Sequence, residues 1–273
     1  MSDRACSFFA LNQRQRKPRT LGLTEIRGPY YSVMGKRYLA DVLETMGEYV
    51  DGLKFAGGSF ALMPKKEVKA LIDLAHQHDV YVSTGGWIER ILAHGEDAVL
   101  SYLKEVQDLG FDVVEISTGF ITIPTEDLLR LVQKVSNLGL KAKPELGIQF
   151  GAGGATSVAE LEAEGTRNVQ WLIDQGAQCL DAGANIIMIE SEGITESVTQ
   201  WKTDVAAQII NKLGIQNIMF EAADPPVFEW YIKNYGPEIN LFVDHSQIVQ
   251  LECLRSGIWG TKSTWGRIVT YKG

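Results

Sequence analysis

Eight short apolar runs recur along the chain, and each of them ends on a polar or charged residue. Amphipathic stretches with a helical period fill the intervals between the runs. The residues that end the runs are, in order, Arg27, Lys54, Ser83, Glu115, Glu145, Glu190, Glu221 and Asp244. Six of the seven intervals span 23 to 32 residues and one spans 45. A strand and a helix repeated eight times at such a spacing are typical of a (β/α)8 barrel.

The sequence therefore predicts an α/β protein that forms a single (β/α)8 TIM barrel. A doubly wound open sheet is the competing architecture. Runs such as Ile186–Ile189 do not alternate in polarity, as expected for strands that are covered on both faces. The barrel is favoured because the 273 residues contain eight units without a break in composition. The long interval holds a glycine-rich insertion, Gly151–Ala155, and a long predicted helix, Glu164–Ala182.

We place the barrel domain at residues 19–273 and predict a flexible N-terminal tail at residues 1–18, which is polar and basic. The net charge of −8 argues against nucleic acid and anionic membranes as partners. No apolar run reaches the roughly 18 residues that a bilayer requires. The three cysteines are far apart, which fits a reducing compartment, and we expect a cytoplasmic protein.

The fifth run, Lys141–Gly147, carries three charged residues on one face of a predicted strand. Lys141, Lys143 and Glu145 share that face because side chains alternate along a strand. An ordinary core cannot hold them, since an unpaired buried charge is strongly destabilising. Pro144 favours an exposed edge strand, because proline lacks a backbone donor. The alternative is a polar cavity, with Lys141 deeper and Glu145 nearest its mouth.

The rim formed by the strand ends decides between these alternatives. Barrel enzymes build their sites at the C-terminal ends of the strands, and nearly every strand here delivers a polar group to that rim. We therefore expect a polar site that the charges of the fifth run face. Its candidate metal ligands, for Mg2+, are Glu190, Glu221 and Asp244. Its candidate substrate-binding residues are Arg27, Gly57, Gly58, Ser83, Thr84, Gly85, His245 and Ser246.

Several segments, taken together, carry a family resemblance. They are Tyr49–Lys54, Gly85–Gly86, Gly110–Ser117, Glu145–Gly147, Ala182–Glu190 and Glu221–Ala222. This combination resembles the phosphosulfolactate synthase family over roughly residues 19–264. The resemblance implies a (β/α)8 barrel, an oligomeric state and a Mg2+-dependent addition of sulfite to phosphoenolpyruvate. In archaea that reaction is an early step of coenzyme M synthesis.

The resemblance also implies roles for the charged ring. Sulfite would attack C3 of phosphoenolpyruvate, and a metal on the substrate carboxylate would stabilise the charge that develops there. Lys143, by its position, could protonate C2, while Lys54 and Arg27 could hold the phosphate and the carboxylate. The candidate catalytic residues are Lys143, Lys54, Glu145 and Glu115.

The chain departs from the synthase pattern in places. It has Ile26–Pro29 where synthases carry Asp-Lys-Gly, and Glu145–Gln149 where they carry Glu-Val-Gly and then a basic residue. The stretches Thr24–Tyr31, Lys54–Ser59 and Ser83–Trp87 look more like the eukaryotic branch of the family. That branch includes plant heat-stress-associated proteins, which implies a role in retaining acquired thermotolerance without an assured catalytic step.

Three functions stay open from the sequence. The first, our working prediction, is a phosphosulfolactate synthase-like lyase that acts on phosphoenolpyruvate and sulfite as a homo-oligomer. The second is a divergent enzyme for another small anionic substrate, including a Schiff-base aldolase that uses Lys143 or Lys54. The third is a heat-stress-related binding protein on an inherited barrel, since a fold does not fix a function.

Overall fold

The computed structural model describes residues 4–152, 157–222, 224–258, 264 and 266–271. Within them, eight parallel strands form a closed barrel in chain order, with the last strand paired to the first. This closure confirms the predicted (β/α)8 barrel and excludes the open sheet. Residues 153–155 of the predicted glycine-rich insertion lie outside the described residues.

The strands are short and the connections between them are helical. The strands are β1 Thr24–Arg27, β2 Gly52–Lys54, β3 Tyr81–Ser83, β4 Val113–Ile116, β5 Lys141–Leu146, β6 Ile187–Ile189, β7 Ile218–Glu221 and β8 Leu241–Asp244. The helices are α1 Lys36–Met46, α2 Lys65–Gln77, α3 Ile88–Leu92, α4 Glu96–Leu109, α5 Thr125–Asn137, α6 Val158–Glu164, α7 Val169–Asp181, α8 Thr203–Leu213, α9 Pro225–Tyr235 and α10 Ile248–Arg255. Every crossover thus contains a helix, as parallel strands require. None of the helices described here combines the length and the apolar character needed to cross a membrane.

The long helix predicted at Glu164–Ala182 is wrong, because the structure has two helices there. The first one, α6, ends at Gly165, whose φ of +79° suits glycine and interrupts the helical backbone. The second one, α7, begins after Asn168, whose side chain accepts a hydrogen bond from Gln170 N at 2.7 Å. The residues between the two helices are therefore free to form part of a loop at the C-terminal end of the barrel.

The barrel interior is divided into an apolar half and an ionic half. The apolar half is a buried cluster on β6, β7 and β8 and the residue before β6, made of Ile186, Met188, Met219 and Phe242. The ionic half comes from β1, β2, β4 and β5 and contains four buried charged side chains, Glu25, Lys54, Glu115 and Lys143. Because helices cover the outside of the strands, these charges have to be neutralised within the barrel.

Gly52 makes room for an aromatic ring in the ionic half. A Cβ atom on Gly52 would lie 2.3 Å from Cζ of Tyr81, which is closer than atoms can approach. The Tyr81 hydroxyl lies near the Glu25 carboxylate. Burial and the charge of Glu25 raise the pKa of Tyr81 well above its usual value. Tyr81 therefore stays neutral beside a carboxylate in the barrel centre.

The strand that carries the charged face, β5, is central in the barrel rather than an edge strand. It pairs with β4 from Lys141 to Pro144, whereas its ladder with β6 begins at Glu145, opposite Met188, just after Pro144. The proline therefore lies outside that ladder. Lys143 is buried, but Lys141 is exposed. The expectation that Lys141 lies deeper in the site is wrong, because the first residue of the strand projects into solvent.

Arg255 closes the N-terminal end of the barrel. This fully buried residue is the last one of α10, and its side chain reaches the backbone that leads into β1 and β8. Its guanidinium donates hydrogen bonds of 2.5, 3.3, 3.0 and 2.9 Å to the carbonyl oxygens of Gly22, Leu23, Pro237 and Ile239. Burial lowers the pKa of Arg255 to about 9. One arginine thus holds together the two chain segments that close the barrel.

Side chains that precede the barrel also contact this end. Asn12 Nδ2 donates to Arg255 O at 3.1 Å, and Arg14 forms an ion pair with Glu252. Both contacts are made by side chains from residues 1–18, for which the sequence predicts a flexible tail. The boundary at residue 19 stays a prediction.

Replacing Arg255 with methionine should lower the free energy of unfolding by about 3–5 kcal/mol, because several buried carbonyl oxygens would lose their donor. Urea denaturation followed by circular dichroism measures the loss. The exposed Arg37 on α1 offers a matched control, and Arg37→Met should change stability by less than about 0.5 kcal/mol. Equal effects of the two substitutions would contradict the proposed anchoring.

Candidate active site

A cavity of about 540 Å³ opens at the C-terminal ends of the strands. We call it the barrel cavity. Strand-end residues at its base include Lys54, Glu115, Glu145, Glu190, Glu221 and Phe242. Its walls include the aromatic side chains Tyr30, Tyr31, Trp87 and Phe120. Its position and size are those of a substrate site in a barrel enzyme.

A chain of alternating charges leads from the barrel centre to this cavity. Lys143 Nζ lies 2.5 Å from Glu25 Oε1 and 3.0 Å from Glu115 Oε2. The other oxygen of that carboxylate, Glu115 Oε1, lies 2.7 Å from Lys54 Nζ. Two ammonium groups thus face two carboxylates, so the buried chain of charges is neutral as a whole.

These contacts set the protonation states of the inner groups. Burial disfavours a charge on Glu115, but the ammonium groups of Lys143 and Lys54 hold its pKa below the usual value. Burial likewise opposes a charge on Lys54, yet the carboxylates of Glu115, Glu145 and Glu221 raise its pKa well above the usual value. At neutral pH, Glu115 is therefore ionised and Lys54 is protonated.

Three further glutamates form a group at the base of the cavity. Glu145 Oε2 and Glu221 Oε1 lie 3.4 and 3.7 Å from Lys54 Nζ. Burial, reinforced by the charge of Glu115, raises the pKa of Glu145 to about 7. Burial and the adjacent Glu221, which shares a hydrogen bond with Glu190, raise the pKa of Glu190 well above its usual value. The group therefore retains protons near neutral pH.

The predicted metal triad is not assembled in the structure. Glu190 and Glu221 are adjacent, but Asp244 does not line the barrel cavity. Asp244 Oδ1 accepts hydrogen bonds from the amide and hydroxyl of Ser246 at 3.0 and 2.6 Å, and its other oxygen lies 3.9 Å from Arg27 Nη1. Within the described ranges, no group of three or more His, Cys, Asp and Glu side chains is arranged to hold a metal ion.

The fifteen predicted site residues, including the three metal-ligand candidates, fall into two sets. Seven of the predicted residues line the barrel cavity, namely Arg27, Lys54, Gly57, Glu115, Glu145, Glu190 and Glu221. Eight others are not among its lining residues, namely Lys143, Gly58, Ser83, Thr84, Gly85, Asp244, His245 and Ser246. Eight of the fifteen predicted positions therefore lie outside the lining of the cavity.

Lys143 is the most consequential residue of the second set. It precedes Glu145 by two positions on the same face of β5, so its Cα atom lies about 6–7 Å deeper. Its side chain is 1% exposed and is enclosed by Glu25 and Glu115. A molecule in the cavity would therefore meet Lys54 and Glu145 first, with Lys143 behind Glu115.

The residues after β3 and β8 have structural roles. Thr84 Oγ1 accepts a hydrogen bond from Glu115 N at 3.2 Å and donates to Gly85 O at 2.8 Å. Gly85 has a φ of +63°, and a Cβ atom there would lie 2.6 Å from a carbonyl oxygen just after β2. After β8, His245 Nδ1 lies 3.0 Å from Arg27 O. These residues fix the backbone around Glu115 and Arg27.

Sequence reasoning missed several residues of the barrel cavity. The ring of Phe242 lies 4.4 Å from Lys54 Nζ, a cation–π contact. Its position two residues before Asp244 on the inward face was a usable signal. Glu89 on α3 is buried and accepts hydrogen bonds from Ser117 Oγ and from backbone amides of the β4–α5 loop. No motif around Glu89 indicates this role.

Comparisons with known proteins identify relatives of the chain and agree with the fold. A family model described as (2R)-phospho-3-sulfolactate synthase (ComA) matches residues 12–261. The chain is 44% identical over 259 residues to Protein HEAT-STRESS-ASSOCIATED 32 of Arabidopsis thaliana, covering 91% of each chain. It is 27% identical over 267 residues to the phosphosulfolactate synthase of Methanothermobacter thermautotrophicus, covering 95% of this chain and 97% of that one.

Among solved structures, the chain resembles a dihydrodipicolinate synthase from Acinetobacter baumannii. The TM-score is 0.54 at 11% sequence identity, and the match covers 88% of this chain and 75% of that one. At this level of identity the likeness concerns the fold alone.

Glu145→Gln should make stability less sensitive to pH. A carboxyl group whose pKa is about 7 in the folded chain, against an ordinary 4.5, binds protons more tightly when folded. Its contribution to stability therefore falls as the pH rises through this range. Between about pH 4.5 and pH 8, the free energy of unfolding of Glu145→Gln should rise by about 3 kcal/mol relative to that of the unmodified protein. Urea unfolding at each pH measures the difference.

The exposed Glu162 provides the control for this measurement. Glu162→Gln should follow the stability of the unmodified protein at every pH, because it removes a charge without removing a buried carboxyl group. Parallel pH profiles for Glu145→Gln and the unmodified protein would show that Glu145 titrates normally.

Proposed function

The chain belongs to the (2R)-phospho-3-sulfolactate synthase family, and from this membership we propose that it adds sulfite to phosphoenolpyruvate in the barrel cavity. One observation carries the proposal: Glu145, with a pKa of about 7, lies 3.4 Å from the ammonium group of Lys54. A proton donor that titrates near neutral pH and a fixed cation are the two groups required for addition to a carbon–carbon double bond conjugated with a carboxylate.

The reaction balances with these two groups. A sulfur lone pair of sulfite forms a bond to C3 of phosphoenolpyruvate, and the electrons of the C2–C3 π bond move toward the substrate carboxylate. One proton delivered to C2 then gives 2-phospho-3-sulfolactate, and no bond to phosphorus breaks. We assign the proton to Glu145 and the cation nearest the carboxylate to Lys54. Arg27, whose guanidinium lies 4.7 Å from the Tyr31 ring centroid, would bind the phosphate.

Lys143 acts in this proposal as a positioning residue. Its ammonium group holds one oxygen of Glu115, and the other oxygen of Glu115 holds Lys54. The sequence-based assignment made Lys143 the acid that protonates C2. We transfer that role to Glu145, because Lys143 does not line the cavity.

A Mg2+ ion fits the pair formed by Glu190 and Glu221. A hydrogen bond between two carboxyl groups requires a shared proton, and the raised pKa of Glu190 reflects burial and the neighbouring negative charge. A divalent cation can replace that proton, and Mg2+ is commonly held by one or two carboxylates together with oxygens of the substrate. When bound, Mg2+ would supply Lewis-acid stabilisation of negative charge on the substrate.

Binding without sulfite chemistry is the second candidate function. Seven glutamates and three cationic side chains occur among the described residues that line the barrel cavity. This excess of carboxyl groups disfavours a highly anionic substrate unless protons or a metal ion compensate. The relative at 44% identity is named for heat stress and not for a reaction.

A direct assay tests the proposed reaction. The purified protein is incubated with Mg2+, phosphoenolpyruvate and sulfite, and 2-phospho-3-sulfolactate is measured by mass spectrometry. We expect turnover by the unmodified protein and a loss of about a hundredfold or more in Lys54→Met and in Glu145→Gln. The exposed Lys36 on α1 provides the matched control, because Lys36→Met should retain full activity.

Thermal melting supplies an independent measurement. Phosphoenolpyruvate with Mg2+, held well above the dissociation constant, should stabilise the fold by about 2–4 kcal/mol. Absence of both product and thermal stabilisation would contradict the proposal and favour the second candidate. Stabilisation without product would indicate that the anion site is retained for another substrate.

A further inference from the structure

A second opening, of about 600 Å³, lies between the β4–α5 loop and the start of α7. We call it the lateral groove. Its lining is largely apolar and includes Ile121, Ile123, Leu128, Phe150, Arg167 and Trp171. In the part of the chain that the structure describes, Arg167 is the one charged residue of this lining. The groove thus differs in charge from the barrel cavity, where carboxyl groups are in excess.

The guanidinium of Arg167 is held between two aromatic rings. It lies 4.5 Å from the ring centroid of Phe150 and 4.5 Å from that of Trp171. None of the described carboxylates forms an ion pair with it. Partial burial lowers the pKa of Arg167. A half-buried cation stacked in this way is oriented for a planar anion.

The loop after β5 fixes this arrangement. Arg167 N donates to Ile148 O at 2.6 Å, which brings the segment before α7 alongside the end of β5. Gln149 is buried, and its Nε2 donates to Gly165 O at 2.9 Å. These bonds place Phe150 beside Arg167 through the backbone, so the stacked pair does not depend on the side chains alone.

A buried acceptor without a donor lines the same groove as Arg167. Gln175 on α7 is 7% exposed, and its Oε1 atom has no hydrogen-bond partner among the described residues. Its Nε2 atom contacts Thr125 Oγ1 at 3.3 Å. Gln175 lines the lateral groove and also a small opening that Glu145 and Glu190 line as well. A buried acceptor in such a place indicates that an occupant brings a donor.

We propose that the lateral groove binds a small organic acid with an aromatic body and a hydroxyl group. Its carboxylate would pair with Arg167, its ring would pack against Phe150 and Trp171, and its hydroxyl would donate to Gln175 Oε1. The cationic guanidinium and the absence of acidic side chains from the described lining select an acid over an amine. This ligand goes beyond the proposed reaction, which uses the barrel cavity alone.

Isothermal titration of the full chain with 3-phenyllactate tests the proposal. This probe carries the ring, the carboxylate and the hydroxyl, while 3-phenylpropane-1,2-diol lacks the carboxylate and lactate lacks the ring. We expect both incomplete probes to bind at least about tenfold more weakly than 3-phenyllactate. Arg167→Gln should weaken 3-phenyllactate binding by about tenfold or more, whereas the exposed control Arg37→Gln should leave it unchanged.

A further variant distinguishes the two openings. Lys54→Met alters the barrel cavity and should leave 3-phenyllactate binding unchanged. No binding by the unmodified protein at millimolar 3-phenyllactate, or equal binding by Arg167→Gln, would overturn the proposal. Loss of binding in Lys54→Met alone would place the acid in the barrel cavity and would also overturn it. Because phosphoenolpyruvate and sulfite are absent, the outcome does not depend on the proposed reaction.

Discussion

Charges enclosed in a protein interior have to cancel, and this requirement shapes the barrel more than any other interaction. Four strands each contribute one buried charge, and the resulting chain runs from Glu25 through Lys143 and Glu115 to Lys54 with contacts of 2.5 to 3.0 Å. Apolar residues of similar volume often give equal or greater stability than a buried ion pair. We therefore interpret this chain of charges as a device that positions Lys54, and not as a source of stability.

The charges outside that neutral chain give the two openings their different chemistry. At the base of the barrel cavity, Lys54 is the ammonium group that contacts the described carboxyl groups, and the surplus negative charge is reduced by protonation of Glu145 and Glu190. In the lateral groove, the cation of Arg167 lacks a described carboxylate partner. The protein thus presents a proton-rich acidic site and a cationic aromatic site, and Gln175 of the second also lines a small opening with Glu145 and Glu190 of the first.

The period of the strand ends was sufficient to predict the barrel, and their position at its C-terminal rim was sufficient to predict that Glu145, Glu190 and Glu221 face one cavity. The enclosure of Lys143 by Glu25 and Glu115 was not predictable, because it depends on the stagger between strands that appears only when the barrel closes. Asp244 does not line the cavity, because its carboxylate accepts hydrogen bonds from Ser246 in the turn after β8. Arg167 was hidden in a predicted helix, although Gly165 and Asn168 are residues that end and begin helices.

The pairing of Glu25 with Lys143 has a consequence for fragments of the barrel. These residues are 118 positions apart, on strands of different halves of the barrel. A fragment that ended before β5 would contain Glu25 and Glu115 but only Lys54 to neutralise them, so the desolvated half-barrel would hold an excess negative charge. Many repetitive folds can be shortened or assembled from separate halves. In this barrel the buried chain of charges reaches neutrality only when the fifth strand has joined the first four.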